Sequence, residues 1–259
     1  MSGIYQSVGL AALNVFARLG NYNHREICFG LSDDQKIDWY EGNKKAPTII
    51  FYHGGNWRSY RKENFRFVAD TLCGLGVNVA IPGFLQYPRH RFDAILRSVT
   101  SVTNRLLDEI CPRGPIIVMG HSSGAQIAAL LALNNSLLDT PDRISAMIGL
   151  SGPYDFYPFT DNDHWDLFGP KELYSMSQPV NFVRRDAPEL YLLHGKDDER
   201  VRRGHSKSLM EKQIKSGGRA RREVYEGMGH ADTVVSLSRI YRRKSPLIRD
   251  IHSFLRSRL

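Results

Sequence analysis

The stretch G-H-S-S-G at residues 120–124 decides the fold of this chain. Residues 115–119, Pro-Ile-Ile-Val-Met, precede it and have the short apolar pattern of a buried parallel strand. Residues 125–133 follow it and are rich in the helix formers alanine and leucine. A G-x-S-x-G stretch between a strand and a helix places its serine on a sharp, strained turn above the sheet edge. We therefore predict that Ser122 is a nucleophile.

The small residues around Ser122 also allow a simpler interpretation. Gly120 and Gly124 lack a Cβ atom, so a strand and a helix can pass close to the turn. The backbone N–H of Ser123 would then lie at the start of the helix, where it can donate to an oxyanion. An ordinary loop between a strand and a helix needs small residues too. Residues elsewhere in the chain that could assist Ser122 must decide between the two interpretations.

Length and composition indicate a single folded domain. The chain has 259 residues, of which 42% are hydrophobic and 24% are charged, as is ordinary for a soluble globular protein. We therefore expect one α/β domain over residues 1–259. Its three widely spaced cysteines show no disulfide framework or zinc spacing, which favours a reducing compartment and a cytoplasmic location. No apolar run approaches the roughly 20 residues that span a bilayer, so no membrane span is predicted.

The net charge of +8 raises the question of an acidic partner. Basic clusters lie at residues 200–203, 219–222 and 242–244, and such clusters can bind nucleic acid, an anionic membrane surface or an anionic substrate. No nucleic-acid motif accompanies them, and no regular series of aromatic residues provides a stacking platform. We therefore interpret the charges as a solvated surface and predict no nucleic-acid partner.

Hydrophobic patterning predicts a mostly parallel sheet of eight strands. The strands are predicted at residues 25–29, 36–40, 48–52, 77–81, 115–119, 144–150, 190–193 and 222–225. Helices are predicted at residues 1–22 (with a turn), 65–72, 91–110, 125–133, 206–216 and from 246 to the end. Because helices alternate with strands after the third strand, the pattern indicates a doubly wound sheet flanked by helices. Residues 152–187 are irregular and are expected to form a cap-like insertion over a site.

Candidate acids follow the seventh predicted strand. A serine nucleophile needs a base, and the base needs an orienting acid. Because the carboxyl ends of parallel strands converge on one crevice, these partners should lie in loops after strands. The stretch H-G-K-D-D at 194–198 follows such a strand. Asp198 is our first choice for the orienting acid, and Asp197 is the second. Alternatively, either acid could cap the next helix or pair with a nearby arginine.

The candidate base is His230, which follows the last predicted strand. Gly227 and Gly229 precede it, so this loop can carry the imidazole over the crevice. His205 at the start of a predicted helix and His252 within the terminal helix are weaker candidates. The order Ser122, Asp198, His230 agrees with the chain order of one known arrangement of the serine triad.

The stretch H-G-G-N-W at 53–57 follows the third predicted strand. Glycines after a strand let the backbone turn its N–H groups toward a site, so we expect Gly55 and Asn56 to join Ser123 in an oxyanion hole. Such donors are aimed at charge that develops only in the transition state, and losing one typically costs ~3 kcal/mol. We interpret His53 as structural and Trp57 as loop packing or a pocket wall.

With these elements in place, the chain resembles the α/β-hydrolase fold across nearly its whole length. H-G-G-x-W is similar to the branch that contains hormone-sensitive-lipase-like carboxylesterases, feruloyl-esterase-like proteins and kynurenine formamidases. H-G-x-x-D-x-x-V at 194–201 resembles the acid loop of that branch and favours Asp198 over Asp197. The chain departs from the branch at 83–89, where G-F-L-Q-Y-P-R replaces an Asp-Tyr-Arg-Leu-x-Pro-Glu-like stretch. The ionisable residues that normally brace the neighbouring loop are missing or reversed in sign.

The resemblance implies a serine hydrolase that cleaves a small carboxylic ester through an acyl-enzyme. Ser122 would be the nucleophile, His230 the base and Asp198 the acid, and no metal or organic cofactor is implied. The alternative substrate is an amide or formamide, as in kynurenine formamidase. An alternative of another class is a non-catalytic binding protein on the same fold, suggested by the altered 83–89 stretch and the basic surface. An intact triad argues against that alternative.

Overall fold

A computed structural model of the chain describes residues 2–17, 20, 22–43, 46–111, 114–243, 245–256 and 258. The strands are β1 (Asn23–Cys28), β2 (Lys36–Glu41), β3 (Thr48–Tyr52), β4 (Asn78–Pro82), β5 (Ile116–His121), β6 (Ile144–Leu150), β7 (Glu189–Gly195) and β8 (Ala220–Tyr225). They form one sheet in the order β1-β2-β4-β3-β5-β6-β7-β8. Strand β2 is antiparallel to both β1 and β4, and the other neighbouring pairs are parallel. The predicted mostly parallel, eight-stranded sheet is therefore confirmed.

Helices cover both faces of this sheet. They are α1 (Ser2–Ala17), α2 (Arg66–Gly74), α3 (Phe92–Arg105), α4 (Ser123–Leu133), α5 (Asn162–Leu167), α6 (Gly204–Lys215), α7 (Asp232–Val235) and α8 (Pro246–Arg256). Side chains alternate between the two faces of a strand, so neighbouring residues of β3 enter different cores. Ile50 packs in the cluster that contains residues of α3 and α4, whereas Ile49 packs in the cluster that contains residues of α2 and α8. Burial on both faces explains why residues 49–51 of β3 and 116–119 of β5 are all apolar.

The sheet register places two predicted site loops side by side. Strands β3 and β5 are parallel neighbours, and Tyr52 at the end of β3 pairs with Gly120 near the end of β5. The H-G-G-N-W stretch and the G-H-S-S-G stretch therefore begin at the same edge of the sheet. This is the edge at which α/β sheets bind their ligands.

Four segments differ from their sequence-based predictions. The helix predicted over 91–110 is α-helical only to Arg105 and continues as a π-helical turn over Leu106–Ile110, where the N–H of Cys111 donates to the Leu106 carbonyl (2.8 Å). The segment 152–187 contains α5 and two 3₁₀ stretches, at Lys171–Ser177 and Pro179–Phe182. The short helix α7 was not predicted. The terminal helix ends at Arg256, and positions 257 and 259 of its predicted extent lie outside the described residues.

None of the helices among the described residues combines the length and the hydropathy that a bilayer-spanning helix needs. Cys28, Cys73 and Cys111 are free thiols. Lys244, the last residue of the third basic cluster, lies outside the described residues.

Candidate active site

Ser122 occupies a strained turn between β5 and α4. Its backbone has φ 54° and ψ −124°, in a region that residues other than glycine rarely adopt. The Ser122 N–H donates to the carbonyl oxygen of Leu150 at the end of the neighbouring strand β6 (2.9 Å). Such local strain persists only where the surrounding structure holds it, and it clusters at functional sites. The sharp turn that the sequence predicts is present.

The glycines of this turn permit a close approach of backbone to backbone. A Cβ atom built on Gly124 would lie 2.0 Å from the carbonyl oxygen of Tyr52, and one on Gly120 would lie 2.1 Å from the carbonyl oxygen of Gly124. Both distances are far below van der Waals contact. The start of α4 therefore packs directly on the end of β3, which only glycine at these positions allows.

We expect Gly124→Ala to destabilise the protein by about 1–3 kcal/mol, because the added methyl group forces backbone apart in a packed core. Alanine is the better helix former by about 1 kcal/mol, so propensity alone predicts the opposite sign. Urea unfolding would measure the change. Gly204→Ala at the start of α6 is the control, since its Cβ meets nothing within 4 Å. Equal unfolding midpoints for the two variants would contradict the packing argument.

His230 lies between Ser122 and Asp198. Its Nε2 atom is 2.9 Å from Ser122 Oγ, and its Nδ1 atom is 2.8 Å from Asp198 Oδ2. Because a carboxylate only accepts, the Nδ1–H donates to Asp198, and the unprotonated Nε2 can accept the hydrogen of the Ser122 hydroxyl. This is the tautomer that a general base for Ser122 requires.

Asp198 is held as a buried carboxylate. Its side chain has no exposed surface, and its Oδ1 accepts the backbone N–H groups of Arg200 (3.0 Å) and Val201 (2.8 Å). Burial alone would raise the pKa of Asp198. Hydrogen bonds from His194, His230 and the Val201 N–H outweigh burial and hold that pKa well below its usual range. The group is therefore charged at neutral pH.

The structure does not bring the other acid and base candidates to Ser122. Asp197 is exposed, and its backbone N–H donates to the carbonyl oxygen of Met228 (3.0 Å). His205 Nδ1–H donates to the carbonyl oxygen of Asp155 (2.5 Å). His252 lies within α8. Of the predicted triad candidates, only Ser122, Asp198 and His230 come together.

The H-G-G-N-W loop lies directly beside Ser122. A Cβ atom built on Gly54 would be 3.1 Å from Ser122 Cβ. The three residues after Gly54 all have positive φ, at 134° for Gly55, 53° for Asn56 and 57° for Trp57. Ser123, the third predicted oxyanion donor, is the first residue of α4, where backbone N–H groups have no partner within the helix.

A sequence profile described as BD-FAE matches residues 39–213, which is more than half of the chain. The chain belongs to the BD-FAE family. The matched region contains the H-G-G-N-W loop, Ser122 and Asp198, and His230 lies beyond it.

Two enzymes named for their activities are similar to this BD-FAE chain at low identity. Kynurenine formamidase of Danio rerio is 26% identical over 137 residues, covering 51% of this chain and 47% of the relative. Isoprenylcysteine alpha-carbonyl methylesterase of Arabidopsis thaliana is 23% identical over 241 residues, covering 80% of this chain and 56% of the relative. The chain thus spans about half the length of the curated relatives it matches. An esterase structure from Pyrobaculum calidifontis superposes with a TM-score of 0.79 at 16% identity, covering 97% of this chain and 90% of that one, which shows a shared α/β-hydrolase fold.

Two buried histidines of the BD-FAE chain hydrogen-bond to the backbone of loops at the site. His53 is buried between the rings of Phe65 and Phe84, and its Nδ1–H donates to the Gly54 carbonyl (2.8 Å). Burial lowers the pKa of His53 to about 4. His121 Nε2–H donates to the His230 carbonyl (3.0 Å), and burial, followed by the charge of His230, lowers its pKa to about 3. Both rings are neutral at pH 7 and hold loops.

The 83–89 stretch of the BD-FAE chain braces the H-G-G-N-W loop with neutral groups. The Gln86 amide donates to the carbonyl oxygens of Tyr60 (2.8 Å) and Ser59 (3.3 Å), and the Tyr87 N–H donates to the Trp57 carbonyl (2.9 Å). These contacts stand where the resemblance led us to expect ionisable residues. The departure in sequence therefore leaves the loop braced.

Sequence reasoning missed the residues that join the 152–187 segment to the H-G-G-N-W loop. The Trp57 indole N–H donates to Gln126 Oε1 (3.1 Å), and the Gln126 amide donates to the Ser177 carbonyl (2.7 Å). His164 Nε2–H donates to Asn56 Oδ1 (3.0 Å). The sequence could have indicated a role for Gln126, since it is a polar residue within an apolar helix. No sequence pattern marked His164 within the irregular 152–187 segment.

Proposed function

We propose that this chain is a serine hydrolase that cleaves a small carboxylic ester through an acyl-enzyme. The observation that carries the proposal is the continuous relay from Ser122 through His230 to Asp198, with atoms 2.9 Å and 2.8 Å apart. Nucleophile, base and acid are each within hydrogen-bonding distance of the next, and the acid is buried. A protein that only bound a ligand would not need all three.

In the proposed reaction, Ser122 Oγ attacks the ester carbonyl carbon while His230 Nε2 takes the hydroxyl proton. Charge on the Asp198 carboxylate stabilises the resulting imidazolium. The backbone N–H groups of Gly55, Asn56 and Ser123 donate to the oxyanion of the tetrahedral intermediate. His230 then gives its proton to the leaving alcohol oxygen. A water molecule then attacks the carbonyl carbon of the acyl-enzyme while His230 Nε2 takes a proton from the water. His230 returns that proton to Ser122 Oγ, which releases the carboxylic acid and restores the Ser122 hydroxyl.

Hydrolysis of a formamide is the second candidate. The kynurenine formamidases of Danio rerio and Salmo salar are similar to about half of the chain, at 26% and 28% identity. The same residues would act, with His230 protonating an amine and with formate as the released acid. The H-G-G-N-W loop is compatible with either substrate.

A substrate panel on the wild-type protein would separate these candidates. We expect nitrophenyl acetate to be hydrolysed with a higher kcat/KM than N-formylkynurenine, because nitrophenolate leaves more readily than an amine. A reversed order would favour the formamidase. Labelling with a fluorophosphonate reports the reactivity of the serine independently of substrate. If the wild-type protein shows neither hydrolysis nor labelling, the proposal is overturned and the binding protein on the same fold is favoured.

We further propose that residues 1–259 form one domain, with 152–187 as a cap-like insertion, and that the protein is cytoplasmic. The ring contacts of the insertion with Trp57 support the first statement. Free thiols, which are typical of a reducing compartment, support the second.

A further inference from the structure

The H-G-G-N-W loop, called the oxyanion loop from here on for its proposed donors Gly55 and Asn56, has a backbone conformation that Trp57 does not favour. Asn56 and Trp57 follow one another with φ 53° and 57°. Single asparagines adopt this left-handed region readily, but a bulky residue such as tryptophan does so only under constraint. The direction of the Asn56 backbone N–H therefore depends on contacts from outside the loop.

Helix α5 of the insertion supplies such a contact to Asn56. His164 Nε2–H donates to Asn56 Oδ1 (3.0 Å), across 108 positions of sequence. The His164 ring also meets the Trp57 ring edge to face, with centroids 5.4 Å apart, and the Phe168 ring at 5.6 Å. Only 15% of the His164 side chain is exposed. Its donor is thus fixed in place by packing as well as by the hydrogen bond.

Two ion pairs attach α5 to the same part of the molecule. Asp163 pairs with Arg58, the residue after the H-G-G-N-W loop (2.6 Å), and Asp166 pairs with Arg91. Both pairs are largely exposed, and exposed pairs contribute little. The His164 hydrogen bond is the one polar contact among these that reaches a residue of the loop itself.

His164 can act as a neutral donor at pH 7. Burial lowers its pKa, the nearby Asp161 carboxylate opposes that shift, and the Arg58 charge adds to it. Its single ring proton lies on Nε2, because Asn56 Oδ1 accepts. The interaction therefore places no net charge beside the oxyanion loop.

We propose that His164 is a positioning residue of the oxyanion hole. By holding the Asn56 side chain, it fixes the backbone N–H of Asn56 in the direction of the oxyanion. The cap-like insertion would thereby contribute to the rate of reaction and not only to the shape of the pocket. This inference rests on the proposed hydrolase function.

The test compares His164→Leu, which lacks the donor, with His164→Gln, whose side-chain N–H can reach Asn56. We expect His164→Leu to lower kcat on nitrophenyl acetate about tenfold, a fraction of the loss for deleting a donor outright. KM should stay near the wild-type value, and His164→Gln should recover most of kcat. Asp163→Asn, which breaks the neighbouring ion pair, is the matched control and should behave like wild type.

A double-mutant cycle shows whether His164 acts through Asn56. Asn56→Gly removes the side-chain acceptor but tolerates the positive φ and keeps the backbone N–H. In that background His164→Leu should have little further effect on kcat, because the contact is already absent. Full additivity of the two substitutions would overturn the inference, and so would equal losses in His164→Leu and His164→Gln. If His164→Leu folds poorly, Asn56→Gly alone tests the same contact: it should lower kcat about tenfold, and a wild-type kcat in Asn56→Gly would overturn the inference.

Binding of phenylboronic acid separates this inference from the proposed function. The boronate forms a tetrahedral adduct with a reactive serine, so its Ki should rise in His164→Leu in parallel with the fall in kcat. Suppose that the wild-type protein binds the boronate and reacts with a fluorophosphonate, but that the Ki of His164→Leu is unchanged. That result would overturn the proposed role of His164 and leave the proposed hydrolase function standing. A wild-type protein that does neither would overturn the hydrolase, and the inference with it.

Discussion

Ser122→Ala is expected to lower kcat on nitrophenyl acetate by about a million-fold, the loss seen when the nucleophile of a serine triad is removed. The Ser122 hydroxyl is the group that His230 Nε2 meets at 2.9 Å, and alanine leaves the base with nothing to activate. Alanine keeps the Cβ atom, so the strain at φ 54° and the packing of the turn are unchanged. The activity should therefore vanish while the melting temperature changes little.

A second serine of similar geometry provides the control. Ser151 follows the neighbouring strand β6, is fully buried and has φ 49°, but its hydroxyl accepts from Thr233 Oγ1 (3.1 Å), whereas the Ser122 hydroxyl donates to His230 Nε2. Ser151→Ala should keep nitrophenol release and fluorophosphonate labelling, and Ser122→Ala should lose both. Activity that survives in Ser122→Ala would contradict the proposed nucleophile.

The parts of the site that the sequence predicted share a physical reason. Ser122, Asp198 and His230 each follow a strand, and the parallel order of β5, β7 and β8 brings those strand ends to one edge. Glycines beside these residues are local signals of turns at strand ends. The fold and the proximity of the three side chains could thus be predicted, whereas their catalytic roles stay predictions.

The remaining contacts depend on packing between distant segments. His164 meets Asn56 because the 152–187 segment packs against the H-G-G-N-W loop, and neither residue has a local pattern that indicates this. The choice between Asp197 and Asp198 is equally subtle, because adjacent residues differ only in the direction of their side chains. In the structure, the N–H groups of Arg200 and Val201 fix Asp198 inward while Asp197 faces solvent. The acid-loop resemblance made that choice in the sequence, and spacing alone left it open.

Asp198→Asn is expected to lower kcat about 10⁴-fold, through the tautomer of His230. Oδ1 of residue 198 accepts two backbone N–H groups, so an asparagine would place its carbonyl oxygen there. Its amide NH₂ would then face His230 Nδ1 at the position of the present Oδ2. A donor at that position stabilises the imidazole with its proton on Nε2, and this tautomer cannot accept the Ser122 hydroxyl proton.

Asp197→Asn is the matched control, because it makes the same chemical change one residue earlier on an exposed side chain. It should leave kcat close to the wild-type value, and both variants should bind phenylboronic acid more strongly than Ser122→Ala does. A larger loss in Asp197→Asn would mean that the acid loop rearranges in solution. Equal losses would mean that negative charge near the site, and not the hydrogen bond to His230 Nδ1, supports the base. A selective loss in Asp198→Asn with an unchanged melting temperature would tie the rate to the proton on one ring nitrogen.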